Sequence, residues 1–338
     1  MQTKEAAMNY KELDKLRALR DVFDKNYRIT NLYAMLLERF PEIITSEMID
    51  TLTEDGEIGR EEAIVALLTE IFGLKWDDPT DRELIRRYLT PSVRLLDADK
   101  YRSNPYYVNI HIDNIKDGAW ELKRECYAPY RAVIAHDMTI GDDFTEIPPL
   151  GFFTERFEFP AVLEGGNEWM TLTPVDLDTC DEAIEAAHGR VVTFGLGLGY
   201  YAYMVSEKED VESVTIVEKS REVIRLFEKH ILPQFPHKGK IQIVEADAFE
   251  YAEHVMPTER YDVAFVDTWR DASDGAPMYE RMHALEHLSK GTVFLYWIKN
   301  FLISRLRAIK FEELLERAER GDEYPRTYGD VVDELKKI

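Results

Sequence analysis

The 338-residue chain has little cysteine and no long apolar run. Its two cysteines, Cys126 and Cys180, show neither the dense spacing of a disulfide framework nor the paired spacing of a structural zinc site. No stretch approaches the roughly 18 consecutive apolar residues of a membrane span, and the charged N-terminus lacks the apolar core of a signal peptide. We therefore expect a cytoplasmic protein with no metal, no export signal and no membrane association.

Positive charge is also scarce. Lys and Arg number 42 against 65 Asp and Glu, which gives a formal net charge of −23. Such a surface repels nucleic-acid phosphates and anionic lipid, and no basic run offsets it. We expect a small-molecule substrate and no nucleic-acid partner. A neutral or cationic substrate suits this negative field best. The sequence does not determine the oligomeric state, and a homodimer is one option.

Three regions differ in their apolar pattern. Residues 1–103 carry apolar side chains at helical spacing and predict a helical N-terminal module. Residues 104–172 predict a β-rich segment, because 106–112 and 152–159 alternate with period two. Residues 173–338 alternate strand-like and helical stretches, which is typical of a parallel sheet covered on both faces.

The last region predicts an α/β fold of the Rossmann-like type. Five apolar runs predict its strands: 191–194, 214–217, 241–244, 263–266 and 293–298. Thr173, Pro174 and Asp176 have the pattern of a helix N-terminus with a capping box. Beyond the fifth strand, residues 301–338 predict a helical tail.

Ligands of open α/β sheets bind beyond the carboxyl ends of the strands. The first predicted strand ends in Gly195, Leu196, Gly197, Leu198 and Gly199. Glycines at this position allow a sharp turn and a close approach of backbone to ligand. This motif alone is a weak signal for a nucleotide-binding loop.

The second strand ends at Glu218, which lies 23 residues after Gly195. A carboxylate at this spacing suits the two ribose hydroxyls of an adenosine. The alternative is a solvated glutamate at a strand end. Lys219 follows it and is included in the candidate site.

The third strand is followed by Asp247, Ala248 and Phe249. Asp247 is placed to accept a hydrogen bond from an adenine amino group, Ala248 to donate its backbone N–H to the ring, and Phe249 to pack on the base. Asp247 has a second interpretation, which is the N-cap of the helix that follows.

The fourth strand ends at Asp267, nearest the position of a transferred group. Asp267 is the candidate catalytic residue, as a general base or as the group that orients a nucleophile. The same carboxylate is suited to holding the amino group of a cofactor. The sequence leaves both roles open.

Residues 165–298 resemble the class I S-adenosylmethionine-dependent methyltransferases. Gly195, Gly197 and Gly199 match the family's glycine loop, and Glu218 matches its ribose acid. The pair 247–248 matches its adenine-contacting motif, and 261–267 matches its fourth strand. The resemblance implies S-adenosylmethionine as cofactor and methyl transfer as the reaction.

Three features depart from that family. Thr193 stands where an acid often precedes the first glycine, no Asn-Pro-Pro-Tyr motif follows the fourth strand, and the tail is helical where two further strands are common. Within the superfamily, 166–170 and 271–277 are similar to segments of spermidine synthases. The paired Tyr and His of the spermidine synthase entry segment and the acid of its glycine loop are missing. Aminopropyl transfer is therefore the alternative activity.

Other interpretations compete with methyl transfer. In a nicotinamide dehydrogenase the third glycine would fall at Tyr200, whose ring obstructs packing beside a pyrophosphate. Residues 283–287 fit an H-x-x-E-H zinc pattern but offer no third ligand. A non-catalytic S-adenosylmethionine-binding regulatory protein is a further alternative, against which Asp267 and Trp269 favour an enzyme.

Overall fold

The computed structural model describes residues 8–112 and 114–338, so Asp113 and the first seven residues lie outside it. The first hundred residues are mainly helical. Their elements are α1 Tyr10–Arg39, α2 Ser46–Thr53, α3 Arg60–Ile71, α4 Pro79–Leu84, a π-helical turn Ile85–Leu89, α5 Thr90–Ser92, strand β1 Val93–Leu96, α6 Ala98–Arg102 and α7 Pro105–Asn109. Asp78 caps α4 and Pro79 occupies its first position.

The strand predicted at 106–112 is wrong, since this stretch contains α7. The side chain of Asn104 accepts from the backbone N–H of Tyr106, and Pro105 occupies the first helical position. Tyr106 and Tyr107 are both buried in the short helix. Local capping therefore outweighed the alternating apolar pattern.

The segment that follows is β-rich, as predicted. It contains β2 Ile115–Asp117, β3 Trp120–Tyr127, β4 Val133–Ile134, β5 Thr139–Ile140, β6 Glu146–Ile147, β7 Leu150–Phe153, β8 Phe157–Glu164 and β9 Asn167–Thr171. Strands β2, β3, β8 and β9 form an antiparallel sheet in that order, while β7 pairs with β1 and β4. Phe152 and Phe153 are fully buried, so these aromatics belong to the core.

The remaining residues alternate helices and strands. They form α8 Pro174–Asp178, α9 Asp181–Ala186, β10 Gly189–Phe194, α10 Tyr200–Ser206, β11 Val211–Glu218, α11 Arg221–His230, β12 Ile241–Glu245, α12 Ala248–His254, β13 Val263–Val266, α13 Ala272–His283, β14 Val293–Tyr296, α14 Lys299–Arg320 and α15 Tyr328–Lys336. Short 3-10 turns occupy Leu232–Gln234, Lys238–Lys240 and Glu286–Leu288. All five predicted strands and the helical tail are confirmed.

Strands β10 to β14 form one parallel sheet in the order β12-β11-β10-β13-β14. Val191 and Phe265 face one apolar core, and Val192 and Phe194 face another. This is the arrangement of a Rossmann-like sheet, whose buried strands read as continuous apolar runs. The strand order reverses between β10 and β13, and such a switch point is where open α/β sheets bind ligands.

Among the described residues, no helix has the length and apolar character needed to cross a bilayer. Helix α13 ends at His283 and His287 lies in a 3-10 turn, so the two imidazoles do not share one helix face. The boundaries at residues 103 and 172 remain predictions.

Candidate functional site

The glycine loop at the end of β10 depends on residues without side chains. Gly195, Gly197 and Gly199 have φ values of +97°, +51° and +76°. A Cβ on Gly195 would overlap the carbonyl oxygen of Asp267, and one on Gly199 would overlap the ring of Phe227. Each position therefore combines a left-handed backbone with a close contact, which glycine alone accommodates.

Glu218 ends β11 and holds this loop in place. Its Oε2 accepts from the backbone N–H of Leu196 at 3.2 Å, and its Oε1 accepts from the backbone N–H of Ser220 at 2.7 Å. The carboxylate is half-buried and faces the glycine loop, while the adjacent Lys219 is exposed. Glu218 is thus a structural acceptor whose remaining lone pairs are available to a ligand.

Asp247 caps α12. Its Oδ1 accepts from the backbone N–H groups of Phe249 and Glu250 at 2.9 and 3.2 Å. Its second oxygen accepts no hydrogen bond from the described residues, so the capping and ligand-binding interpretations are compatible. Ala248 is the first residue of the helix and is half-buried.

Phe249 is placed in the core between sheet and helices. It is buried among residues of the face that contains Phe194, and the guanidinium of Arg281 lies 4.1 Å from its ring centroid. The structure therefore gives this ring a packing partner on one side and apolar neighbours around it. Of the candidates that follow the second and third predicted strands, Glu218 contacts the glycine loop, through the backbone N–H of Leu196.

A cavity of about 30 Å³ lies beside the glycine loop at the switch point. It is lined by Met170, Leu172, Asp176, Cys180, Thr193, Gly195, Leu196, Leu198, Tyr200, Tyr201, Ala202, Ile216, Phe265, Asp267 and Trp297. Two of these residues are carboxylic acids and none is Lys, Arg or His. The wall of the cavity therefore has two acidic side chains and no basic one.

The two acids have strongly perturbed pKa values. Burial, followed by the nearby Asp176 and Glu218, raises the pKa of Asp267 to about 8. Burial raises the pKa of Asp176 to about 6, although hydrogen bonds from the backbone N–H and hydroxyl of Thr173 favour its charged form. Asp176 thus makes Asp267 harder to ionise, and a cation in the cavity would relieve this cost.

Sequence reasoning missed Asp176 as a site residue. Its predicted place in a capping box with Thr173 is confirmed. Because capping already explained an acid at this position, no feature of the sequence assigned Asp176 to a site. Helix α8 follows β9, and the fold brings its Asp176 beside Asp267 across the cavity. No periodicity or spacing in the sequence relates these two residues, which are 91 positions apart.

Buried polar groups without partners follow Asp267. Neither the hydroxyl of Thr268 nor the indole N–H of Trp269 has a hydrogen-bond partner in the structure. Buried donors are nearly always paired in folded proteins, so these two groups are among the exceptions in the part of the chain that the structure describes. Within the described ranges, no group of three or more His, Cys, Asp and Glu side chains is arranged to hold a metal ion.

Comparisons with known proteins add little. No protein-family model matches the chain, and no curated protein matches it. A conserved hypothetical protein from Streptococcus pyogenes is 18% identical with a TM-score of 0.25, over 30% of this chain and 62% of that one. A provisionally assigned SAM-dependent methyltransferase from Streptococcus mutans is 15% identical with a TM-score of 0.29, over 38% and 36% of the two chains. The matches span less than two thirds of either relative, and likeness at this level carries no functional argument.

Proposed function

We propose that this protein is an S-adenosylmethionine-dependent methyltransferase that acts on a small molecule. The observation that supports this most is the pair of carboxylates, Asp176 and Asp267, in a cavity whose wall has no basic residue. The pair lies beside a glycine loop held by Glu218, at the switch point of a parallel sheet. S-adenosylmethionine has an ammonium and a sulfonium group, and both suit such an environment.

The same cavity disfavours a dinucleotide. A pyrophosphate would meet two carboxylates and no cation, which is unfavourable in a half-enclosed site. Tyr200, at the position of a third glycine, is buried and packs edge-on against Tyr106, and its hydroxyl accepts from Asn104 at 3.0 Å. The ring is therefore fixed where a dinucleotide fold needs open space.

The residues fit the positively charged end of the cofactor, and its remaining part needs more room. Small-molecule sites usually enclose about 300 to 1,000 Å³, well above the volume of this cavity. Met170 is the flexible side chain in the way, since its Sδ lies 2.5 Å from the Cβ position of Gly197. A rotation of this side chain would widen the cavity toward Glu218.

The acids at the strand ends and their neighbours then have distinct roles. When bound, S-adenosylmethionine supplies a methyl group activated by its positive sulfur. Glu218 binds the ribose hydroxyls, and Asp247 with Ala248 binds the base. Asp176 and Asp267 hold the ammonium group and exclude competing anions, while Asp267 also stands where it can orient the acceptor.

The test is calorimetric titration with S-adenosylmethionine and its product S-adenosylhomocysteine. We expect Asp176→Asn and Asp267→Asn to weaken binding at least about tenfold, as the loss of a charge-assisted hydrogen bond does. Asp181→Asn is the matched control, because Asp181 is exposed on α9 and does not line the cavity. Absence of binding by the unsubstituted protein, or equal affinity in all variants, would remove the proposal.

A second activity is favoured by one observation. The α-carboxylate of S-adenosylmethionine would lie near the same two acids with no basic residue to pair with it. Decarboxylated S-adenosylmethionine lacks that group, so aminopropyl transfer is the second candidate. Parallel titrations with both cofactors separate the two activities, because tighter binding of the decarboxylated form supports aminopropyl transfer. Binding of either without turnover of any acceptor would favour a regulatory protein.

A further inference from the structure

A second hollow, of about 320 Å³, lies outside the cavity described above. Its wall consists of Arg102, Tyr107, Arg124, Arg156 and Glu158, which we call the arginine hollow. These residues come from α6, α7, β3, the turn before β8, and β8 itself. Three guanidinium groups and one carboxylate therefore converge from separate parts of the chain.

The sheet explains part of this convergence. Arg124 of β3 lies opposite Pro160 of β8, and Cys126 lies opposite Glu158. Since side chains two apart in a strand share a face, Arg124 and Glu158 are diagonal neighbours on one face of the sheet. The guanidinium of Arg156 pairs with the same Glu158 at 3.2 Å.

Arg102 completes the wall from α6. Its Nη2 donates to the backbone carbonyl of Arg156 at 2.9 Å, which fixes the two arginines relative to each other. Its Nη1 also pairs with Glu155, and with Asp99 at 3.3 Å. The guanidinium is thus oriented before any ligand arrives.

The ion pairs in this wall are open to replacement. The side chains of Arg156 and Glu158 are 65% and 53% exposed, and that of Arg102 is 44% exposed. Ion pairs with this much exposure contribute only about 0 to 1 kcal/mol. A bound oxyanion can therefore share the guanidinium groups with these carboxylates, or displace the carboxylates from them, at little cost in free energy.

The charges within a few ångströms of the arginine hollow, and not the net charge of the chain, determine how it interacts with an anion. The chain as a whole has a net charge of −23, yet charges farther than about 8 to 10 Å are largely screened at physiological salt. The planar guanidinium presents paired N–H donors that match the geometry of phosphate and carboxylate. Three guanidinium groups line this hollow, which is large enough for a metabolite, and they are suited to bind a phosphate or carboxylate group.

We propose that the arginine hollow binds a small molecule through a phosphate or carboxylate group. The hydroxyl of Tyr107 is committed to the carbonyl oxygen of Leu172, so Tyr107 contributes its ring as an apolar wall. Leu172 also lines the cavity with the two carboxylates, so this hydrogen bond joins the wall of the hollow to the wall of the cavity. The proposal does not depend on methyl transfer.

The test measures thermal unfolding of the full chain in inorganic phosphate or in succinate, with chloride holding the ionic strength constant. A ligand that binds the native state raises the melting temperature as it saturates its site. We expect saturation in at least one of the two anions, and at least about a tenfold higher half-saturating concentration for Arg156→Gln and Arg124→Gln. Arg17→Gln is the matched control, because Arg17 pairs with Asp14 on α1 and is 70% exposed.

The two anions also distinguish the source of the oxyanion. Saturation by phosphate alone indicates a phosphorylated ligand, and saturation by succinate alone indicates a carboxylate. Equal responses of the protein and all three variants, or no saturation beyond chloride, would overturn the proposal and leave an ion-pair network. Titration of the same preparations with S-adenosylhomocysteine keeps this result separate from that of the proposed function.

Discussion

A Cβ on Gly195 would overlap the backbone carbonyl oxygen of Asp267. The ends of β10 and β13 therefore meet at a point where only a glycine fits, and this contact brings the backbone of Asp267 against the glycine loop. The candidate site depends on that contact before any ligand is considered.

Gly195→Ala should destabilise the protein by about 3 kcal/mol or more, because it adds a clash with backbone to the strain of a positive φ. Gly165→Ala separates the two effects. Gly165 also has a positive φ, +59°, but no atom lies within 4 Å of its Cβ position. We expect this control to cost about 1 to 2 kcal/mol. Urea unfolding measures the free energy of unfolding of both variants. Equal losses of stability would contradict the close contact between Gly195 and the carbonyl oxygen of Asp267.

Stability should fall as pH rises through the neutral range. The pKa of Asp267 is about 8 in the folded protein against an ordinary value of 3.8, so the folded state keeps a proton that the unfolded state releases. This contribution is complete below about pH 4 and is lost by about pH 8. Asp176, with its pKa near 6, adds to the loss in the lower part of that window.

Asp267→Asn should therefore flatten the pH dependence and stabilise the ligand-free protein at pH 8, on the order of 2 kcal/mol. Denaturant midpoints between pH 5 and pH 8.5 measure the effect. Asp181→Asn should leave most of the slope in place. An unchanged slope in Asp267→Asn would show that this carboxyl titrates normally.

Glu218→Ala should weaken S-adenosylhomocysteine binding by at least about tenfold, because it removes both the proposed ribose acceptor and the anchor of Leu196. It should also cost about 1 to 3 kcal/mol of stability, since two backbone donors lose their acceptor. Glu245 offers the matched control. It ends the neighbouring strand in direct register with Glu218 and is exposed. Equal effects of Glu218→Ala and Glu245→Ala would contradict the assignment.

Met170 and Gly197 should be energetically coupled. The thioether sulfur lies 2.5 Å from the Cβ position of Gly197, so Gly197→Ala should be less costly when Met170 is also Ala. We expect a coupling free energy of about 1 kcal/mol in a double-mutant cycle. Met170→Ala alone should enlarge the cavity and leave cofactor affinity equal or higher. Strictly additive changes in the free energy of unfolding would contradict the contact between Met170 and Gly197.

Some elements were predictable because their signals are local. The three central strands of the parallel sheet, β10, β11 and β13, are largely buried on both faces, so their apolar runs are visible without knowledge of their neighbours. Thr173 with Asp176, and Asp78 with Pro79, mark helix starts by hydrogen bonds within a few residues. The strand prediction for 106–112 failed because a second local signal, the helix cap at Asn104, outweighed the alternating apolar pattern.

The sequence by itself determined the order of strands and helices, the glycine loop, and the acids that follow the strands. Only the tertiary structure decided that Asp176 joins Asp267 in one cavity, that Phe249 packs into the core, and that Met170 covers Gly197. The physical reason is that a local pattern fixes which face of an element is apolar. Which distant side chains then meet is set by how the elements pack.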